Sequence, residues 1–244
     1  MRPILFEWRG LRVSSYLVLA YLGITLGMVA QNYVAKAAGL DRARVWMATL
    51  LLLPVSFFGA RLLFVVTHIS VYRHKPARVW RKSEGGMAMS GGVLCMLVGS
   101  VPLLKWMGIP YWAFWDVTTF CILIGMVFMR FGCLLHGCCA GRPVYSRLAM
   151  WLPDERGDWK LRVPTQLFEI GWTVLLLAAA ILAWPWRPFS GALFLCVMTG
   201  YAVGRLLFQP LRATRQRVGL IDVELAISAA VVAFSCTAWL LLRY

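Results

Sequence analysis

The residues from Arg130 to Pro143, RFGCLLHGCCAGRP, place two arginines, three cysteines, one histidine and three glycines at the end of an apolar run. Arginine's planar fork suits phosphate. A cysteine thiolate is a nucleophile or a soft metal ligand, and imidazole takes up protons near neutral pH. Arg130 follows WAFWDVTTFCILIGMVFM, where an ionised group is costly unless paired or wetted, so a functional role is expected of it. Free cysteines also serve as small buried hydrophobes, and packing is the simpler role for Cys138 and Cys139 taken alone. Cys133, His136, Cys138 and Cys139 form C-x2-H-x-C-C, a soft set for zinc or copper whose close spacing strains tetrahedral ligation.

These residues must be positioned by membrane helices. The chain has 244 residues, 61% of them hydrophobic, and a mean hydropathy of +0.72, more apolar content than a soluble domain can bury. Seven stretches are long enough to cross a bilayer: 13–31, 45–67, 90–107, 112–135, 166–184, 189–208 and 220–242. None alternates with a period of two, so the expected fold is all-α, a polytopic transmembrane helical bundle of about seven spans in a single integral membrane domain, 1–244. Ala35-Lys36-Ala37 resembles a signal-peptidase site, but the preceding stretch is long enough to span and is expected to be retained. The net charge of +15 falls between apolar runs and forms no nucleic-acid motif. Anionic lipid is the expected partner. Seven cysteines, mostly inside apolar runs, form no disulfide framework.

In chain order, Tyr16 near the start of the first span reads as an interfacial anchor. Arg61 follows Gly59 and Ala60 in the second span and must face a polar cavity or a head group. The segment 72–86, YRHKPARVWRKSEGG, suits an anionic interface. Gly85-Gly86 and Gly91-Gly92 surround Ser90, and such glycines let backbone amides approach a ligand. A fourth span that stays helical puts Cys133 and Gly137 near the face of Arg130 and points His136 off it. Residues 144–162 read as a surface loop or lid with Asp154, Glu155 and Asp158 among basic residues. Gln166 and Glu169 enter the fifth apolar run early, suited to a helix–helix hydrogen bond or to a ligand. Tyr201, Arg205, Gln209 and Arg212 fall along one helical stripe. Asp222 and Glu224 are the polar groups near the start of the last span.

Taken together, Phe58-Gly59-Ala60-Arg61, the GGMAMSGG segment, Arg130-Phe131-Gly132 with Gly137 and Gly141-Arg142, Pro164 to Glu169, and Tyr201 through Arg205 to Arg212 resemble the prolipoprotein diacylglyceryl transferase family. The resemblance runs from about Arg12 to the C-terminus. It implies a bacterial plasma (inner) membrane enzyme, multi-pass, that moves diacylglycerol from phosphatidylglycerol to the lipobox cysteine of a prolipoprotein without a cofactor. By that likeness the N-terminus and active site face outward, against the positive-inside distribution of Lys and Arg. Several family residues differ here. Ser90 stands where the family has a histidine, Cys133, His136, Gly137 and Cys138 fall within its R-x-x-N-x-x-N-G-E signature, Gln209 replaces a glutamate, and Ser14 aligns with its tyrosine.

In the family's reaction a thiol attacks the terminal glycerol carbon, a thioether forms and glycerol phosphate leaves. Arg130 and Arg205 are the expected catalytic arginines, with His136 as candidate base and Ser90 beside them. Arg61, Gly91, Gly92, Cys133, Gly137, Gly141, Arg142, Gln166, Glu169, Tyr201, Gln209 and Arg212 are the expected head-group contacts. Other readings are a transferase with a different acceptor and a non-catalytic lipid- or metal-binding membrane protein.

Overall fold

The computed structural model describes residues 4–8, 11–72, 88–147, 149–153, 157–213, 217–218 and 221–243. Most of the basic segment 72–86, with Gly85 and Gly86, lies outside these residues, as do Asp154 and Glu155. A hairpin of β1 (Ile4–Trp8) and β2 (Leu11–Ser14) leads into α1 (Ser15–Ala37), followed by α2 (Arg42–Thr67) and a single turn, α3 (Ile69–Tyr72). Then come α4 (Met89–Met107) and α5 (Tyr111–His136). A second hairpin, β3 (Met150–Pro153) with β4 (Trp159–Arg162), precedes α6 (Thr165–Ala183) and α7 (Ala192–Phe208). Two two-residue strands, β5 (Arg217–Val218) and β6 (Ile221–Asp222), introduce α8 (Val223–Arg243). Among the described residues seven helices are long and apolar enough to cross a membrane, namely all but α3.

Local chemistry sets the helix ends. Asp41 accepts the amide protons of Ala43 and Arg44 at the start of α2, which satisfies donors that the first helical turn leaves unpaired. Gly108 adopts φ +67° to end α4, and Pro110 stands just before α5. Within the bundle, glycines admit close neighbours. A β-carbon at Gly27 on α1 would crowd the Cys121 backbone on α5, and one at Gly59 on α2 would collide with Cys95 and the Gly91 carbonyl on α4. Small residues at such crossings let apolar helices pack without a hydrophobic driving force between them.

The core concentrates at one end. Ala35, Val45, Leu52, Leu104, Phe114, Trp115, Val117 and Phe194 form one buried cluster. Two polar ties fasten it. Gln31 of α1, fully buried, donates to Thr49 of α2 and Thr118 of α5. Asp116 of α5 accepts from the backbone amides of Gly191 and Phe194 at 2.8 and 2.9 Å, so a carboxylate from one span caps the first turn of another.

Seven alternating spans put the starts of the odd ones and the ends of the even ones at the same end of the bundle. Tyr16, Ser90, Glu169 and Glu224 lie near starts of odd spans, and Arg61, Arg130 and Arg205 near ends of even ones. Connectivity alone therefore gathers the candidate residues at one end, opposite the apolar core.

Candidate active site

Glu169, near the start of α6, is the hub. Its carboxylate is buried and pairs with Arg130 of α5, with Arg205 of α7 at 3.6 Å, and with Arg212 in a bidentate contact at 2.7 to 3.1 Å. Glu224, at the start of α8, accepts from Arg205 at 3.0 Å and from the Ser90 hydroxyl at 2.9 Å. Five helices thus meet in one ion network. Within these contacts three guanidiniums face two carboxylates, a local surplus of one positive charge, with Asp222 a further carboxylate close by on Gln209. Burying ions is expensive unless each is paired and hydrogen-bonded, so a surplus of this kind favours an anionic occupant.

The cavity among Met126, Arg130, Glu169, Tyr201, Gly204 and Arg205 holds about 10 Å³, room for about one water molecule. The network is closed on itself, so a larger anion would have to displace arginine–carboxylate contacts to enter. The Tyr201 hydroxyl, which lines this cavity, has no hydrogen-bond partner among the described residues and can donate to an anion, whereas Gln166 Oε1, Gln209 Oε1 and Asp222 Oδ2, likewise without a partner there, are acceptors suited to a ligand's hydroxyl groups.

Beside the network, α5 ends at His136. Gly137 takes φ +82° and its amide bonds the Cys133 carbonyl, a left-handed helix end that glycine adopts without strain. Cys139 follows with φ +61°, unusual for a residue bearing a β-carbon. Contacts from three directions hold this turn. Gln166 donates to the Cys138 carbonyl at 2.8 Å and Thr165 to that of Cys139 at 2.9 Å, while Gly141 and Arg142 bond the backbone of Val163 and Leu211. The turn brings the sulfurs of Cys133, Cys138 and Cys139 within 4.8 Å of one another. Thiol donors from Cys133 and Cys138, with Arg212 and Arg130 nearby, hold the Cys139 thiol well below its ordinary range. The same sharing with Cys133 and Cys139 pushes Cys138 up.

The network collects Arg130, Arg205, Arg212, Glu169 and Ser90, while Gln166 braces the cysteine turn and Tyr201 lines the cavity. Gln209 donates to Asp222 at 3.3 Å. The stripe from Tyr201 to Arg212 converges as expected, although α7 stops at Phe208 and a 3₁₀ turn through Pro210 carries the chain onward. Arg61 lies over the rings of Phe64 and Tyr72, 5.6 and 5.7 Å from their centres.

Other positions differ from the reading of the sequence. His136 is exposed at the last residue of α5 and is absent from the sulfur cluster. Gly91 and Gly92 sit in the α2–α4 crossing, where Leu63, the Gly59 carbonyl and Ser56 fill the space that a ligand would need. Gly141 is enclosed by the backbones of Val163 and Leu211, so its role is to let three segments meet. Arg142 takes part through its backbone, with its side chain exposed. Within the stretch 144–162, Met150–Pro153 and Trp159–Arg162 pair as the β3–β4 hairpin rather than forming a loop.

Two participants are new. Glu224 carries a full share of the network. Its signal in the sequence was a carboxylate opening an apolar span, which needs a cationic partner. Tyr16 packs along Gly132, and Cys133 and Arg130 are among its electrostatic neighbours, so it belongs to the site more than to an interfacial belt.

A sequence model of the family described as prolipoprotein diacylglyceryl transferase matches residues 3–242. The chain is 24% identical, over an alignment of 254 positions that covers 99% of this chain and 87% of the relative's, to a phosphatidylglycerol–prolipoprotein diacylglyceryl transferase of Nostoc sp.. To proteins of the same name it is 27% identical in Shouchella clausii, covering 89% of this chain and 78% of that one. In Clostridium botulinum the identity is 24%, covering 93% of each.

Proposed function

The chain belongs to the prolipoprotein diacylglyceryl transferase family, and on that premise we propose that it transfers the diacylglyceryl group of phosphatidylglycerol to the lipobox cysteine thiol of a prolipoprotein, in the bacterial plasma (inner) membrane. The observation that carries the assignment of roles is the surplus of buried arginine around Glu169. The lipid phosphodiester is the anion that satisfies it. As the phosphate enters, Arg130, Arg205 and Arg212 exchange part of their pairing with Glu169 for phosphate oxygens. Tyr201 donates its hydroxyl, which has no hydrogen-bond partner among the described residues. When the C–O bond breaks, charge grows on the departing glycerol phosphate, and donors already in place stabilise that charge without reorganising.

The network lies at the end of the bundle that carries the N-terminus, and we place that end on the outer face, where exported prolipoproteins arrive. Ser90 is committed to Glu224, and His136 is exposed at the end of α5. Neither is placed to take the acceptor's proton.

Purified protein in phosphatidylglycerol liposomes, given a lipobox peptide, tests the reading by mass spectrometry of the peptide. The expected product is a peptide heavier by one diacylglyceryl group, with turnover falling about 10²–10³-fold in Arg130→Ala. Unmodified peptide, or product formation unchanged in Arg130→Ala, would overturn it.

A further inference from the structure

A thiol acceptor needs its proton removed before it can attack carbon, because the thiolate is the nucleophile. The residues at the Cys133 turn supply a different means from a histidine base. Three sulfurs lie within 4.8 Å of one another, and none is in a disulfide. In a tetrahedral zinc site, Zn–S bonds of about 2.3 Å put sulfurs about 3.8 Å apart, so the cluster closes on a metal with movements of about 1 Å. The ligand turn is held from outside itself, by Gln166 and Thr165 of α6 and by the backbone at Val163 and Leu211. Such supporting contacts orient metal ligands before the ion arrives.

Three protein ligands also leave one position of a tetrahedron open, the pattern of catalytic rather than structural zinc. Cys133 is buried, but Cys138 and Cys139 are half-buried, so the open position is reached past the turn.

We propose that Cys133, Cys138 and Cys139 form a three-thiolate zinc site whose fourth position binds the acceptor thiol beside the lipid phosphate. This rests on the transferase reading and supplies its missing activation step. The three ligand cysteines give up their protons when the metal binds. The acceptor R–SH then binds as thiolate and its proton passes to water, because a coordinated thiol ionises outright. Its sulfur forms a bond to the terminal glyceryl carbon as the C–O bond to phosphate breaks. Glycerol phosphate departs with that electron pair among the arginines, and the thioether product, a weaker ligand than a thiolate, dissociates from the zinc.

The test uses the full-length protein, reduced, stripped with a chelator and reloaded with Zn²⁺ or Co²⁺. Expected results are one ion per chain by elemental analysis, a thiolate-to-cobalt charge-transfer band that changes when lipobox peptide is added, and protection of Cys133, Cys138 and Cys139 from alkylation mapped by mass spectrometry. Binding is lost in Cys138→Ser and Cys139→Ser and kept in His136→Ala. The alkylation map needs no variant, so it decides even where a substitution impairs folding. Diacylglyceryl transfer is lost on stripping and restored by zinc. Full transfer by the stripped protein would overturn the zinc step and leave the transferase assignment standing. Alkylation of all three cysteines unaffected by metal would overturn the site itself, and a cobalt band insensitive to peptide would overturn the acceptor position. Metal bound with every expected signature but no transfer in any state would instead count against the transferase reading.

Discussion

The two ends of the bundle treat buried polarity in opposite ways. At the closed end every polar group singled out is answered by the protein. Gln31 is shared between Thr49 and Thr118, Asp116 takes two backbone amides, and the Trp115 indole donates to Ser100. At the other end five buried polar atoms in the site region, on Gln166, Tyr201, Arg205, Gln209 and Asp222, lack a hydrogen-bond partner among the described residues. Fold stability and ligand readiness are thus located apart, on opposite ends of the same helices. Rigidity at one end holds an unfinished network at the other.

That contrast can be broken in three places. Glu169→Gln should have the largest effect, because it leaves Arg130 and Arg212 buried without their carboxylate. Breaking a buried pair from one side costs about 3–5 kcal/mol, and thermal unfolding in detergent should show it. Glycerol phosphate should restore part of the lost stability by standing in for the missing charge, and its failure to do so would argue that the network is purely structural.

Asp116→Ala tests the closed end. Loss of the α7 cap should cost about 1–2 kcal/mol and lower the unfolding temperature, while KM for phosphatidylglycerol stays unchanged at a temperature where the variant is folded. A changed KM would mean that the ends are coupled. Ser90→Ala is the mildest. It removes one hydrogen bond, worth about 1 kcal/mol, from a Glu224 that keeps Arg205, so turnover should remain within about tenfold of the parent.

The seven spans were legible because apolar length is a property of contiguous sequence, and six of the observed helices begin and end within three residues of the expected bounds, while α1 runs six residues past its expected end to Ala37. The arginines were legible for a related reason: a charge at the end of an apolar run must find a partner. Glu224 escaped because its importance lies in contacts to Arg205 and Ser90, which are distant in sequence. Gly91 and Gly92 were misplaced because a glycine that admits a ligand and one that admits a helix look alike until the neighbour is known. For the cysteines, the spacing suggested four ligands including His136. Only the left-handed turn at Gly137 and Cys139 determines that three sulfurs converge while the ring stays outside. Asp116 shows the converse. A carboxylate within a span is the usual mark of function, yet here, in the second turn of α5, it caps a neighbouring helix.

The helix α5 carries both anchors. Asp116 fixes it at the closed end and Arg130 presents its guanidinium at the other, fourteen residues further on, about 21 Å along the axis. On the function proposed above, a rod of fixed length between the two sets where along the bundle the phosphate is held. On that reading the enzyme draws on one monolayer only. In sealed vesicles with all molecules facing the same way, lipid in the far monolayer stays unspent unless something else turns it over, and each turnover leaves its glycerol phosphate on the side where the acceptor came in.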